Sequence, residues 1–102
     1  MKKYNINIGT KFQKIVWNAI ANIPKGKILT YQELAIEIGH PKSFRAVASA
    51  CAKNPYIPEV PCHRIVRKDG GLGGYSAKGG ISRKKYLLKK EGHKFNNGKI
   101  IF

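Results

Sequence analysis

The chain is 102 residues long and 42% hydrophobic, and its 20 Lys and Arg against 5 Asp and Glu leave a net charge of +15. That length allows one domain burying roughly 65% of its unfolded surface and excludes a two-domain enzyme with its own nucleotide-binding half. The apolar fraction excludes a disordered basic tail, and the charge calls for a polyanionic partner, nucleic acid above all.

Residues 3–8 alternate polar and apolar, with Tyr4, Ile6 and Ile8 on one face of an expected short strand. After Gly9, Thr10-Lys11-Phe12-Gln13 reads as a capping box opening an amphipathic helix. Its stripe is Phe12, Ile15, Val16, Ala19, Ile20 and Ile23, and Pro24-Lys25-Gly26 ends it. Thr30-Tyr31-Gln32-Glu33 is a second capping box, followed by the stripe Leu34, Ala35 and Ile38, with Gly39 suited to a left-handed stop. The break His40-Pro41-Lys42 leads to a third helix over residues 43–53, with Phe44, Val47, Ala48 and Cys51 apolar. Two helices joined by a short Gly-containing turn give a helix-turn-helix outline.

Asn54-Pro55 stops the third helix. Residues 56–66 read as extended, with Pro58 and Pro61 barring a central strand. Six of the eleven residues from 70 to 80 are glycine, which requires a mobile or tightly turned loop. A last helix is expected over 82–91, with Tyr86, Leu87 and Leu88 apolar, and Asn97-Gly98 between Phe95 and Ile100 marks a terminal hairpin. The predicted fold is a small, mostly α single domain spanning residues 1–102, winged helix-turn-helix-like, with short peripheral strands and a Gly-rich active-site loop. No apolar run approaches the ~20 residues of a membrane span. The start, Met1-Lys2-Lys3-Tyr4, has no apolar signal core. A cytoplasmic chain with reduced cysteines is therefore expected, nucleoid-associated in a prokaryote and nuclear in a eukaryote.

Val60-Pro61-Cys62-His63-Arg64-Ile65-Val66 is the most informative segment. A cysteine reacts as thiolate, and a histidine beside it can take the proton. Neighbours on a straight strand point to opposite faces, so cooperation needs a helical turn here or a bridging water. Taken alone, the pair reads equally as a buried, inert thiol preceding a histidine.

Pro61-Cys62-His63-Arg64, following Asn54-Pro55 and preceding a Gly-rich loop with Tyr75-Ser76, closely resembles the O6-alkylguanine-DNA alkyltransferases. Gly9-Thr10-Lys11-Phe12-Gln13, Thr30-Tyr31-Gln32-Glu33-Leu34-Ala35, Ser43-Phe44-Arg45-Ala46-Val47 and Leu87-Leu88-Lys89-Lys90-Glu91-Gly92 are similar to that family's other motifs, in order and at matching spacing. By this resemblance Cys62 is the nucleophile that accepts the alkyl group from guanine O6. His63 is its base through a water, Glu91 holds the other imidazole nitrogen, and Tyr31 donates to guanine N3. Glu91 also falls on the apolar side of its helix, where a carboxylate needs a partner. Sulfur attack gives a thioether that nothing hydrolyses, so the implied reaction is single-turnover and needs no cofactor and no metal.

The resemblance implies that the target nucleotide is turned out of the duplex. Arg45 fills the gap, and Ser43, Ala46 and Ala50 belong to a recognition helix lying in the minor groove. Asn54 is the hinge to the active-site segment. Pro61, Ile65, Tyr75 and Ser76 shape the base pocket, with the Cys62 and Ile65 carbonyls facing the guanine amino group. Cys51 belongs to the helix's small-residue set. The implied partner is double-stranded DNA containing O6-alkylguanine, bound by a monomer with no membrane and no required protein partner. Ala77-Lys78 before Gly79-Gly80, Glu59, and a start close to the DNA-binding domain depart from the family pattern. Two other readings compete: a non-catalytic lesion-binding relative that flags damage for other factors, in which the cysteine is typically replaced, and a basic architectural DNA binder.

Overall fold

The computed structural model describes residues 6, 8–56, 60–75 and 78–102. The first helix, α1, runs Lys11–Ala21. Its start is fixed by the capping box: Thr10 Oγ1 accepts from the Gln13 amide at 3.1 Å, and Gln13 Oε1 accepts from the Thr10 amide at 2.9 Å. Its buried face is Val16, Trp17, Ala19, Ile20 and Ala21, whereas Ile15 is 38% exposed. Trp17 enters the core because its indole N–H is satisfied by the Ala50 carbonyl at 2.8 Å.

The chain then forms β1, Leu29–Thr30, and passes directly into α2, Tyr31–Glu37. Thr30 ends the strand and caps the helix, accepting from the Glu33 amide at 3.0 Å while its own amide donates to Glu33 Oε1 at 2.8 Å. Gly39 turns the chain with φ +81°, and α3 follows as Phe44–Ala52. α1 and α2 both pack on α3, and Val16, Ile20, Leu34, Ala35 and Val47 form the centre of the helical core at 0% exposure.

Of the segment expected to be extended, residues 57–59 lie outside the described residues, and residues 60–66 are not simply extended. Cys62–Arg64 is a turn of 3₁₀ helix, and Ile65–Val66, β2, pairs in parallel with β1, Leu29 opposite Ile65 and Thr30 opposite Val66. The last helix, α4, spans Gly80–Lys90 and starts two residues before the expected 82. Gly79, at φ +97°, caps it, and a Cβ there would lie 2.7 Å from Arg83 Cβ. The terminal hairpin pairs β3, Phe95–Asn96, with β4, Lys99–Ile100, around Asn97 and Gly98, both at positive φ as a tight two-residue turn demands. A second apolar cluster of Val66, Leu72, Leu88 and Ile100 joins β2, the Gly-rich loop, α4 and the hairpin.

The strand expected over 3–8 lies largely outside the described residues. Ile6 packs against the core, and Ile8 is 59% exposed with its amide donating to the Tyr56 hydroxyl. Among the described residues, no helix is long and apolar enough to cross a membrane, and no three His, Cys, Asp or Glu side chains converge as metal ligands would.

Candidate active site

An open cavity of about 670 Å³ lies between α2, α3, the 3₁₀ turn and the Gly-rich loop. Tyr31, Arg45, Cys51, Cys62, Gly73 and Tyr75 are among its lining residues. Tyr31 is placed there by the Thr30 cap, which ends β1 one residue earlier. Cys62 is placed there by the 3₁₀ turn, whose geometry departs from the alternation of a straight strand. Gly73, at φ +70°, passes so close to Tyr31 that a Cβ would fall 2.7 Å from the phenol oxygen, so glycine is required for this wall to meet that ring.

Burial raises the Cys62 thiol above its ordinary pKa, against a hydrogen bond from Asn54 and the charge of Lys84, which lower it. The resting sulfur is therefore a thiol that needs a base. His63 is buried, and its Nε2 lies 2.9 Å from Glu91 Oε2. A carboxylate at that distance accepts a proton-bearing nitrogen, which puts the imidazole proton on Nε2 and leaves Nδ1 as the lone-pair atom. Nδ1 is buried with no hydrogen-bond partner among the described residues. Burial, helped by the charges of Arg64 and Lys84, lowers the His63 pKa against the Glu91 hydrogen bond and charge, which raise it, so the ring is neutral at physiological pH.

Glu91 is held by more than His63. Arg64 Nε donates to Glu91 Oε1 at 3.0 Å, its NH2 donates to Oε2 at 2.8 Å, and its NH1 donates to the Ile23 carbonyl at 2.7 Å. Burial alone would raise the Glu91 pKa, but the hydrogen bonds from Arg64 and His63 outweigh it and hold the carboxyl at about 2. The cluster ties the end of α4 to the 3₁₀ turn and to the chain just after α1. Nothing in the spacing of Arg64 singles it out. The signal is its place directly after His63, where one turn of 3₁₀ helix aims both side chains at one carboxylate.

Asn54 is buried, its Nδ2 donating to the Val60 carbonyl at 2.9 Å and its Oδ1 accepting from the Tyr56 amide at 2.8 Å. It thus links the end of α3 to the segment before Cys62. Burial pushes the Tyr31 hydroxyl up to about 12, so it is a proton donor across the neutral range. Arg45 is exposed at the cavity mouth, beside the Phe44 ring.

Other expected positions fall elsewhere. Ala50 is 2% exposed and faces α1, where its carbonyl receives the Trp17 indole, so it is a helix-packing residue with no surface to offer DNA. Ala46 is exposed, and Ser43 is half-buried at the start of α3 with no side-chain capping bond. Pro61 and Ile65 are buried behind the cavity, and the Cys62 carbonyl already accepts from the Ile65 amide. Ser76, Ala77 and Glu59 lie outside the described residues. Cys51 lines the same cavity as Cys62, with burial pushing its thiol up to about 12, well out of the reactive range.

A helix-turn-helix whose second helix borders a cavity holding a buried cysteine and a neutral, carboxylate-anchored histidine defines a DNA-binding domain built around a thiol. A family model described as the 6-O-methylguanine DNA methyltransferase DNA binding domain matches residues 11–93. The chain belongs to that family. It is 51% identical over 86 residues to the regulatory protein Ada of Salmonella typhimurium, covering 84% of this chain and 24% of Ada. It is 45% identical over 95 residues to the methylated-DNA–protein-cysteine methyltransferase of Methanosarcina acetivorans, covering 90% of this chain and 60% of that protein. The chain therefore spans from a quarter to three fifths of these relatives. Among solved structures, it superposes on Mycobacterium tuberculosis OGT in complex with DNA with TM-score 0.78 at 46% identity, covering 82% of this chain and 50% of that one. It also superposes on S. pombe Atl1 in complex with damaged DNA containing O6-carboxymethylguanine, with TM-score 0.73 at 30% identity, covering 92% of this chain and 90% of that one.

Proposed function

We propose that this domain repairs O6-alkylguanine in double-stranded DNA by moving the alkyl group onto Cys62. The observation that carries the reading is the single cavity that gathers Cys62, Tyr31 and Arg45, with His63 held by Glu91 alongside. The thiol proton passes through a water to His63, whose neutral ring has a free lone pair. An Sγ–C bond forms as the C–O6 bond breaks, and the bonding pair goes to the purine oxygen. The Tyr31 hydroxyl donates to the departing guanine at N3, which makes the purine a better leaving group. The purine anion takes up a proton as His63 gives its own back through water, so the products are a thioether and an intact guanine, and each chain reacts once.

Intact-mass measurement after mixing the domain with a duplex containing O6-methylguanine tests this. One methylene unit is gained per chain, mapped to Cys62 in the peptide digest; an unchanged mass under saturating lesion would end the proposal.

Reaching the lesion means unstacking it at a cost of a few kcal/mol. Arg45, exposed at the mouth, is the group placed to fill the gap, since its planar guanidinium can stack and pair. Arg45→Ala slows methyl uptake from duplex by at least about tenfold, each factor of ten being about 1.4 kcal/mol of lost support for the flipped state. Reaction with the free modified base stays unchanged. Equal slowing of both would remove Arg45 from this role.

A second reading keeps the fold without the transfer: S. pombe Atl1, in complex with damaged DNA containing O6-carboxymethylguanine, shares it at 30% identity. Under that reading the domain binds the lesion tightly without changing mass. The thiol retained at position 62 favours transfer.

A further inference from the structure

Lys84 is the one charged side chain at 0% exposure among the described residues, and the transfer scheme above leaves it idle. It sits on α4 one turn before Leu88, on the helix's buried side. Its ammonium donates to the Leu72 carbonyl and, at 3.3 Å, to the Gly74 carbonyl, both in the Gly-rich wall. It also lies 6.0 Å from the centre of the Tyr31 ring. None of the ion pairs among the described residues includes it. A buried cation without an anion is expensive, so its retention needs a reason. The groups that can become anions within its field are Cys62 from the 3₁₀ turn and Cys51 from α3, which line the cavity behind the Gly74 wall it holds, and the Tyr31 phenol from α2. Of the other charged groups nearby, His63 feels its field, and Arg67 acts on Tyr31 from the end of β2.

We propose that Lys84 is a positioning residue for alkyl transfer: it clamps the Leu72 and Gly74 carbonyls so that the Gly-rich wall closes on the cavity, and it supplies the counter-charge for the Cys62 thiolate. The clamp half rests on geometry. The two carbonyls take two of the three ammonium donors and fix loop backbone on both sides of Gly73, the residue that touches Tyr31. The counter-charge half follows from complementarity. Behind the Gly-rich wall lies a cation held only by neutral carbonyls, and the cavity on the other side of that wall holds a thiol that must become negative in order to react; each offsets the desolvation of the other. Burial pushes Lys84 down to about 8 while the two thiols pull it back up, and its charge in turn lowers Cys62.

This inference rests on Cys62 being the acceptor, and its test is kept independent of DNA. The rate of iodoacetamide modification at Cys62, read by peptide mass, is followed from neutral to alkaline pH in wild type, Lys84→Arg, Lys84→Gln and Lys84→Met. In Lys84→Met the Cys62 titration moves up by about one unit, so about tenfold less thiolate reacts at neutral pH, and the wild-type rate returns in alkali. Lys84→Arg keeps the charge and the wild-type midpoint. Lys84→Gln keeps a donor toward the wall without the charge and shares the shift, and it decides the matter if Lys84→Met does not fold. A cooperatively melting uncharged variant with an unmoved midpoint, or one slowed equally at every pH, would overturn the proposal. Methyl uptake from lesion-bearing duplex is measured alongside. Failure of uptake in wild type with the thiol shift intact would count against the acceptor reading alone.

Discussion

Cys62→Ala is expected to abolish methyl uptake altogether while leaving affinity for duplex DNA within about twofold, less than 0.5 kcal/mol of binding. The loss is complete because no other group in the cavity can replace the sulfur. Cys51 is the obvious substitute, but burial pushes its thiol up to about 12, so it is protonated across the neutral range. Binding survives because Arg45 and the exposed face of α3 lie at the cavity mouth while Cys62 lies inside. Trimming one buried sulfur costs stability about 1 kcal/mol, which a folded domain tolerates. Intact mass reads the first effect and fluorescence anisotropy with a labelled duplex reads the second. Methylation of Cys62→Ala would move the acceptor role to Cys51, and loss of binding would mean that the thiol also holds the helix in place.

Glu91→Ala carries the largest expected change in stability, a loss of about 3–5 kcal/mol, because it leaves the Arg64 guanidinium without its carboxylate in a site only 15% exposed. It also frees His63 Nε2, so the tautomer that keeps Nδ1 as the lone pair is no longer enforced, and methyl uptake slows about a hundredfold. Glu91→Gln retains an acceptor for His63 and gives a smaller loss of rate than of stability. The same carboxylate sets the acid response. Its pKa is lowered from 4.5 to about 2 on folding, so its contribution is complete above 4.5 and drains away as the pH falls toward 2. Denaturant midpoints measured from neutral to acid pH show this directly. The wild type loses stability over that window, and the variant, having no such group, loses much less. Parallel curves for the two proteins would show that Glu91 is not what the acid attacks.

Features carried by a short run of residues were legible in the sequence. The capping boxes at Thr10 and Thr30 and the Asn97-Gly98 hairpin each depend on contacts within five residues, and each was found where the spacing placed it. Glu91 stood out because a carboxylate on an apolar stripe needs a partner. The features that escaped are those made by distant chain segments or by exceptions to burial rules. Leu29–Thr30 and Ile65–Val66 are too short to show alternation, and they become strands only by meeting. Trp17 lies off the spacing of its helix stripe and is buried because a carbonyl from α3 receives its N–H. Ala50 looks as available to DNA as Ala46, and only the approach of α1 separates them. Lys84 violates the expectation that lysines face water, and two carbonyls from a glycine loop make that possible.

The parallel contact between β1 and β2 joins Leu29 to Ile65 across the whole helix-turn-helix. Local helix pairings form quickly, whereas closing so long a loop comes at an entropic cost that is repaid only when both sides are already ordered. The pocket around Cys62 is therefore expected to form only in a chain whose α2 and α3 are already packed, so the thiol takes on its buried surroundings together with the rest of the domain rather than ahead of it.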